Sequence, residues 1–115
     1  MKSQNAQLIL NLKIEAKEHF GFKSSISHDI LLHLASNRGK CELSHLFKSI
    51  DATSIAIRYH IKYLEMKGYI VLKININNKR SKNIELTAKG NKLMKDYDAR
   101  LESLLANWHL DRLNP

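Results

Sequence analysis

Three observations predict a mainly helical domain of the α+β class. Apolar residues recur at helical spacing through most of the chain: a long opening stretch, three shorter ones and a long closing one. After residue 70 the period changes to two, with Ile70, Leu72, Ile74 and Ile76 sharing one face. A polar turn later, Ile84 and Leu86 resume that alternation. The stretch just before the pair of strands, residues 51–70, carries a cationic helical face without a carboxylate. At 115 residues the chain can build one compact core and not two, so residues 1–115 are read as a single domain. Its core spans 27–86, and helical elements flank it at 1–20 and 87–113.

The opening helix, residues 3–20, holds Leu8, Ile9, Leu10, Leu12, Ile14 and Ala16, and is apolar around most of its circumference. A terminal helix of that kind needs burial on more than one side, which a second subunit can supply. A connection follows, ending at Ser27, a serviceable N-cap for a helix over 28–36 that carries Ile30, Leu31, His33, Leu34 and Ala35. Asn37-Arg38-Gly39 stops it. Lys40-Cys41-Glu42 is short enough for a single extended pairing. Residues 43–50 form a brief helix that turns Leu43, Leu46, Phe47 and Ile50 inward.

The helix over 53–67 comes next, with Asp51 and Thr53 as start signals and Gly68 as the stop. Ile57, His60, Ile61 and Leu64 form its inner stripe; Ile55, Arg58, Tyr59, Lys62 and Met66 form the outer one. Surface helices usually interleave acids with bases, and this outer stripe does not. The turn over 77–83, Asn-Asn-Lys-Arg-Ser-Lys-Asn, makes a hairpin with a charged tip. Thr87 caps the closing helix, where Met94, Tyr97, Leu101, Leu104 and Trp108 follow a 3, 4, 3, 4 spacing. Two heptads alone make a marginal zipper, so the closing helix is expected to share its interface with the opening one.

Charge and composition narrow the function. Charged residues make up 26% and hydrophobic ones 43%, which is a globular balance. No apolar run approaches the roughly 18–20 residues that span a bilayer, and the N-terminus lacks a signal-peptide succession. A single cysteine, Cys41, excludes an internal disulfide framework and fits a reducing cytoplasm. The net charge is +8, and residues 53–83 alone hold seven cations against one acid. Charge this localised is the footprint expected for a polyanion, and nucleic acid is the commonest one.

The order helix, helix, short strand, helix, helix, hairpin is that of a winged helix-turn-helix. In that geometry residues 43–50 brace, 53–67 enter the major groove, and the hairpin reaches phosphates or the adjacent minor groove. The stretch from Asn78 to Gly90, Asn-Lys-Arg-Ser-Lys-Asn-Ile-Glu-Leu-Thr-Ala-Lys-Gly, resembles the wing signature of MarR-type transcriptional regulators, in which Asp-x-Arg is followed by Leu-Thr-x-x-Gly. Leu64-Glu65-Met66-Lys67-Gly68-Tyr69-Ile70 is similar to the hinge of that family between recognition helix and wing. The resemblance covers residues 26–97. Two features depart: Asn78 stands where the family prefers Asp, and there is one C-terminal helix where two are usual.

The resemblance implies a prokaryotic, cytoplasmic, nucleoid-associated homodimer that binds a pseudo-palindromic site in double-stranded DNA and regulates transcription. Carried over by position, Ser54, Ile55, Arg58, Tyr59 and Lys62 face the groove and Arg80 is the wing-tip contact. Arg58 can donate in bidentate fashion to a guanine edge, and Ile55 can touch a thymine methyl. Lys62, Lys73, Lys79 and Lys82 suit sequence-blind phosphate contacts. Leu8, Leu12, Tyr97, Leu101, Leu104 and Trp108 are the expected dimerisation residues.

Other chemistry finds little support. Of six histidines, only His28 and His33 are near neighbours, and their spacing does not place both on one helical face. No cofactor or metal is expected, and Cys41 reads as a small buried residue rather than a redox switch. No acid pair or nucleophile–base arrangement suggests an enzyme. MarR-type proteins often bind small aromatic effectors, but no residue here compels such a site. The alternatives are a winged-helix DNA binder of replication, partition or mobile-element control, and a winged helix used for protein contacts.

Overall fold

The computed structural model describes residues 3–22 and 24–113, apart from the side chain of Arg112. It divides into two compact units. One is built from residues 22–94, and the other from the two ends of the chain, 1–21 and 95–115.

The unit of residues 22–94 opens with α2, Ser25–Ser36, which follows the first helix of the chain, α1, Gln4–Phe20. Its cap is Ser24, whose hydroxyl accepts from the Ile26 backbone at 3.2 Å. Ser27 is therefore not the N-cap expected from sequence: three serines precede Ile30, and an earlier one starts the helix. Ser27 is buried instead, with its hydroxyl 3.1 Å from His60 Nδ1. That pairing also accounts for His60 on the inner stripe of the helix expected over 53–67, since a half-buried imidazole needs a partner.

Three further elements, β1 (Lys40–Glu42), α3 (Leu43–Ser49) and α4 (Ser54–Met66), carry the chain to the hairpin of β2 (Ile70–Ile74) and β3 (Lys82–Leu86). The sheet is antiparallel with order β1-β3-β2, so β3 is central: Ile84 faces Cys41 on one side and Leu72 on the other. Central placement explains why Ile84 is fully buried. Ile30, Leu31, Leu34, Leu46, Ile57 and Leu64 are likewise inaccessible and fill the space between the helices and the sheet. Thr53 caps α4 by accepting from the Ala56 backbone at 3.1 Å. Gly68, at φ +83°, ends the helix as the sequence predicts.

The hairpin differs from its sequence pattern at two places. First, β2 stops at Ile74, and Ile76 lies outside it, 91% exposed. Asn75 is tucked in instead: its amide donates to Glu42 Oε1 at 3.2 Å, and its Oδ1 accepts from the Asn77 backbone at 3.0 Å. A buried carboxamide with partners is a better end to the strand than another isoleucine with nothing above it. Second, β3 begins at Lys82, two residues before the expected Ile84, so Lys82 and Asn83 belong to the strand and not the turn.

The last helix, α5, runs from Ala88 to Leu113. Its first turn explains the Leu-Thr-x-x-Gly element. Thr87 Oγ1 accepts from the Gly90 backbone at 3.1 Å and donates to the Gly68 carbonyl at 2.5 Å. The Thr87 N–H reaches the Tyr69 carbonyl at 3.0 Å. Gly90 then passes so close to that carbonyl that a Cβ would sit 2.1 Å from its oxygen.

In the unit formed by the chain ends, α1 and the rest of α5 lie antiparallel. Gln4 at the start of α1 accepts through its carbonyl from Trp108 Nε1 at 3.4 Å. At the other end of the helix, the Phe20 ring lies 4.7 Å from that of Tyr97. Both rings are buried. Arg100 ties the pair together from α5, 2.7 Å from Glu15 and 3.5 Å from Glu18.

Candidate nucleic-acid interface

The outer stripe of α4 is exposed along its length, because its inner stripe is taken up by Ile57, Ile61 and Leu64 in the core. Ser54 stands at its start, and Ile55 and Tyr59 are 81% and 66% exposed. The Arg58 guanidinium lies over the Phe47 ring of α3, 5.1 Å from its centroid. An exposed contact of this kind contributes about 0.5–1 kcal/mol and restricts where the guanidinium points. The bracing helix therefore supplies the platform for Arg58, a role that Phe47's inward spacing in the sequence did not disclose.

A shallow groove beside α4 is lined by Phe47, Arg58, Lys62, Glu65, Leu72 and Lys82, among others. It brings Lys82 from the sheet next to two cations of the helix. Lys82 shares the strand face of the buried Ile84, which directs it to the helical side of the sheet. Glu65 is the acid in this groove, and it belongs to α4 itself. Lys73 is different: it alternates to the opposite face and pairs with Glu85 at 3.1 Å. Of the nine residues expected at the interface, Arg58, Lys62 and Lys82 line one groove, whereas Lys73 lies on the other face of its strand, paired with an acid of the next one.

The turn between the strands is built by asparagines. The Asn75 N–H donates to the Ser81 carbonyl at 3.1 Å, and the Ser81 N–H to the Asn78 carbonyl at 3.0 Å. Asn78 Oδ1 accepts from the Arg80 backbone at 3.1 Å. The carboxamide thus orders the backbone that carries Arg80, in place of a carboxylate holding the guanidinium. Lys79 and Arg80 are exposed at the tip.

Met66, expected on the outer stripe of α4, is 83% exposed, but sequence reasoning missed two exposed isoleucines of the hairpin: Ile74 at 68% and Ile76 at 91%. The alternation of β2 pointed the isoleucines inward and gave no signal that the helical cover ends before them. It also missed the approach of His33 to His45, whose rings lie 6.0 Å apart across α2 and α3. Among the described residues, no group of three or more His, Cys, Asp or Glu side chains could hold a metal ion. Cys41 is half-buried, and burial pushes its thiol pKa up, which suppresses the reactive thiolate. No helix of the described residues is long and apolar enough to cross a membrane.

The expected dimerisation residues fall within the α1–α5 pair. Tyr97 is buried there, and Leu8, Leu12, Leu101, Leu104 and Trp108 are half-buried. More open are Ile9, Leu10 and Ile14 on α1 and Leu105, Leu110 and Leu113 on α5, at 43–63% exposure.

Comparisons with known proteins agree with this architecture. A family model described as a winged helix DNA-binding domain matches residues 26–105. A search of curated proteins finds no match. Among solved structures, a mutant of MepR from S. aureus superposes with a TM-score of 0.75 at 21% identity, covering 92% of this chain and 80% of that one. A transcriptional regulator from Thermotoga maritima gives 0.74 at 19% identity, over 92% and 75%. A mutant of MarR from E. coli, solved in complex with operator DNA, gives 0.68 at 15% identity, over 90% and 75%. The fold is thus the one these regulators share.

Proposed function

For a chain that belongs to the winged helix DNA-binding domain family, we propose a homodimeric, sequence-specific regulator of transcription that acts on double-stranded DNA in a prokaryotic cytoplasm. α4 lies in the major groove, and the wing over 77–83 meets the flanking minor groove and backbone. The observation that carries this reading is the groove beside α4, where Arg58, braced on Phe47, Lys62 and Lys82 set three cations against one acid, Glu65. Arg58 and Ile55 read base edges, Ser54 and Tyr59 bond phosphates or bases, and Lys62, Lys79 and Lys82 grip the backbone. Arg80 reaches the minor groove. Lys73 is held by Glu85 and contributes at most to the surrounding positive field.

The α1–α5 pair supports the homodimer. Among the described residues of this unit only Phe20 and Tyr97 are buried hydrophobics, which leaves much of its apolar surface uncovered. A second copy covers Ile9, Leu10, Ile14, Leu105, Leu110 and Leu113 and completes the burial of Leu8, Leu12, Leu101, Leu104 and Trp108.

Selection of bound sequences from random duplex DNA tests the whole reading. Two inverted half-sites spaced about one helical turn apart are expected. Recovery of no enriched sequence, from protein that is folded and dimeric, defeats the proposal of sequence-specific binding.

A further inference from the structure

We propose that Ile76 is an apolar wedge that presses against a base step in the minor groove beside the site read by α4; this rests on the DNA-binding reading above. Isolated exposed isoleucines are ordinary on protein surfaces, so the case depends on how this one is held and on what surrounds it.

It is held rigidly. Asn75, directly before it, is buried and makes three hydrogen bonds, to Glu42 Oε1, to the Ser81 carbonyl and from the Asn77 backbone. The chain leaves that anchor with Ile76 91% exposed, while Ile74, on the other side of the anchor, is 68% exposed. A side chain presented from a fixed backbone loses little freedom when it meets a partner. The anchor ties the wing root to the start of α3, so the isoleucine is presented by the frame of the domain and not by a loose loop.

Its surroundings select the partner. From Ile74 to Ile84 the chain carries Lys79, Arg80 and Lys82 and no acid, and the Glu42 carboxylate at the wing root is engaged by the Asn75 amide. An apolar protein surface would have to be ringed by acids to accept it. The minor groove offers phosphates to the lysines and apolar sugar walls and base faces to the isoleucine. Isoleucine is among the side chains that minor-groove proteins use to unstack base steps.

The wedge and the arginine make opposite demands on DNA. Arg80 favours a narrow, stiff A-tract, whereas a wedge favours a flexible TA step. The test uses the full-length protein and a selected duplex in which the flank under the wing is either a run of A or alternating T and A. A fluorescent adenine analogue that brightens on unstacking is placed at that step. Wild type should brighten the TA flank. Ile76→Ala should lose that signal and bind the TA flank about three- to tenfold more weakly, with the salt slope unchanged because no charge is removed. Arg80→Ala should lower the salt slope and shift preference the other way, toward TA. Ile76→Leu should restore the signal, and all variants should melt with wild type, since the side chain is exposed.

An Ile76→Ala protein that binds both flanks and brightens the probe like wild type overturns the wedge. So does one that loses both flanks equally with a lowered melting temperature, because that is a structural role. These results leave DNA binding by α4 intact. Wild-type protein that binds no duplex at all defeats the underlying reading and the wedge with it.

Discussion

Gly90→Ala tests the junction between the turn that follows α4 and the start of α5, because two effects of opposite sign compete there. Alanine is the better helix former by about 1 kcal/mol, and on an unconstrained helix the change stabilises. Here the new Cβ sits 2.1 Å from the Tyr69 carbonyl oxygen and 3.1 Å from Leu86 Cδ2, whereas ordinary contact begins near 3.4 Å. The nearer obstacle is backbone, so no rotamer change relieves it. The first turn of α5 has to retreat by about 1 Å in a packed region, and overpacking of that kind costs roughly 1–3 kcal/mol. Retreat also stretches the bond from the Thr87 N–H to the Tyr69 carbonyl, which stands at 3.0 Å and is worth about 0.5–1.5 kcal/mol. Sterics win, and the net destabilisation is about 1–3 kcal/mol. At about 4–8 °C per kcal/mol for a unit of this size, the melting temperature falls by roughly 5–20 °C. Thermal unfolding followed by circular dichroism, with urea titration as a second probe, measures it. A Gly90→Ala protein that melts at or above wild type would show that helix propensity decides and that the close approach is not native.

Three further outcomes follow from other parts of the molecule. Arg58→Ala should lower the ratio of specific to random binding, by roughly 1–3 kcal/mol at one base pair, whereas Lys62→Ala should keep that ratio and reduce the salt slope by about one unit per monomer; titrations on a selected and a scrambled duplex at several salt concentrations decide it, and identical behaviour of the two mutants refutes the orientation of α4. Leu105→Glu combined with Leu110→Glu should give monomers in sedimentation at micromolar concentration and weak DNA binding; a stable dimer would move the interface elsewhere. The third concerns His28, whose pKa is lowered by burial, partly offset by Asp29. The unfolded chain takes up that proton more readily, so the stability is complete above about pH 6.5 and declines as pH falls from there toward the folded value. Urea titrations from pH 8 to pH 5 should show a shallower decline in His28→Gln than in wild type, and parallel curves would assign the decline to other groups.

The element order was legible in the sequence because it rests on period: the change from helical to alternating spacing at Ile70 marks the hairpin, and Gly68 marks the break before it. The cationic outer stripe of α4 was legible for the same reason, since its inner stripe had to be core. Contacts between distant segments were not legible. Nothing local announces that Phe47 underlies Arg58, or that Glu85 occupies Lys73, because each pair is set by packing between elements. Ser27 and Ile76 failed for a related reason. A hydroxyl before a helix caps it only if no earlier hydroxyl does, and an alternating isoleucine is buried only where something covers its strand. Asn75 shows the limit best: an asparagine between two isoleucines reads as the solvent side of a strand, and its burial depends on Glu42, which is 33 residues away.

The pairing of α1 with α5 carries a consequence for how the chain comes together. Gln4 and Trp108, joined by a hydrogen bond, are separated by 104 positions. During synthesis α1 emerges about a hundred residues before its intrachain partner. Until α5 is made, Ile9, Leu10 and Ile14 have no native cover from their own chain. Closing so long a loop in an unstructured chain is entropically costly, but a folded segment between the ends shortens the loop to be closed. Residues 22–94 form their own core, so they can fold before the closing helix is complete and hold its first turn in place. The helical pair therefore forms after that core, and is the part that a nascent chain could exchange with a neighbouring one.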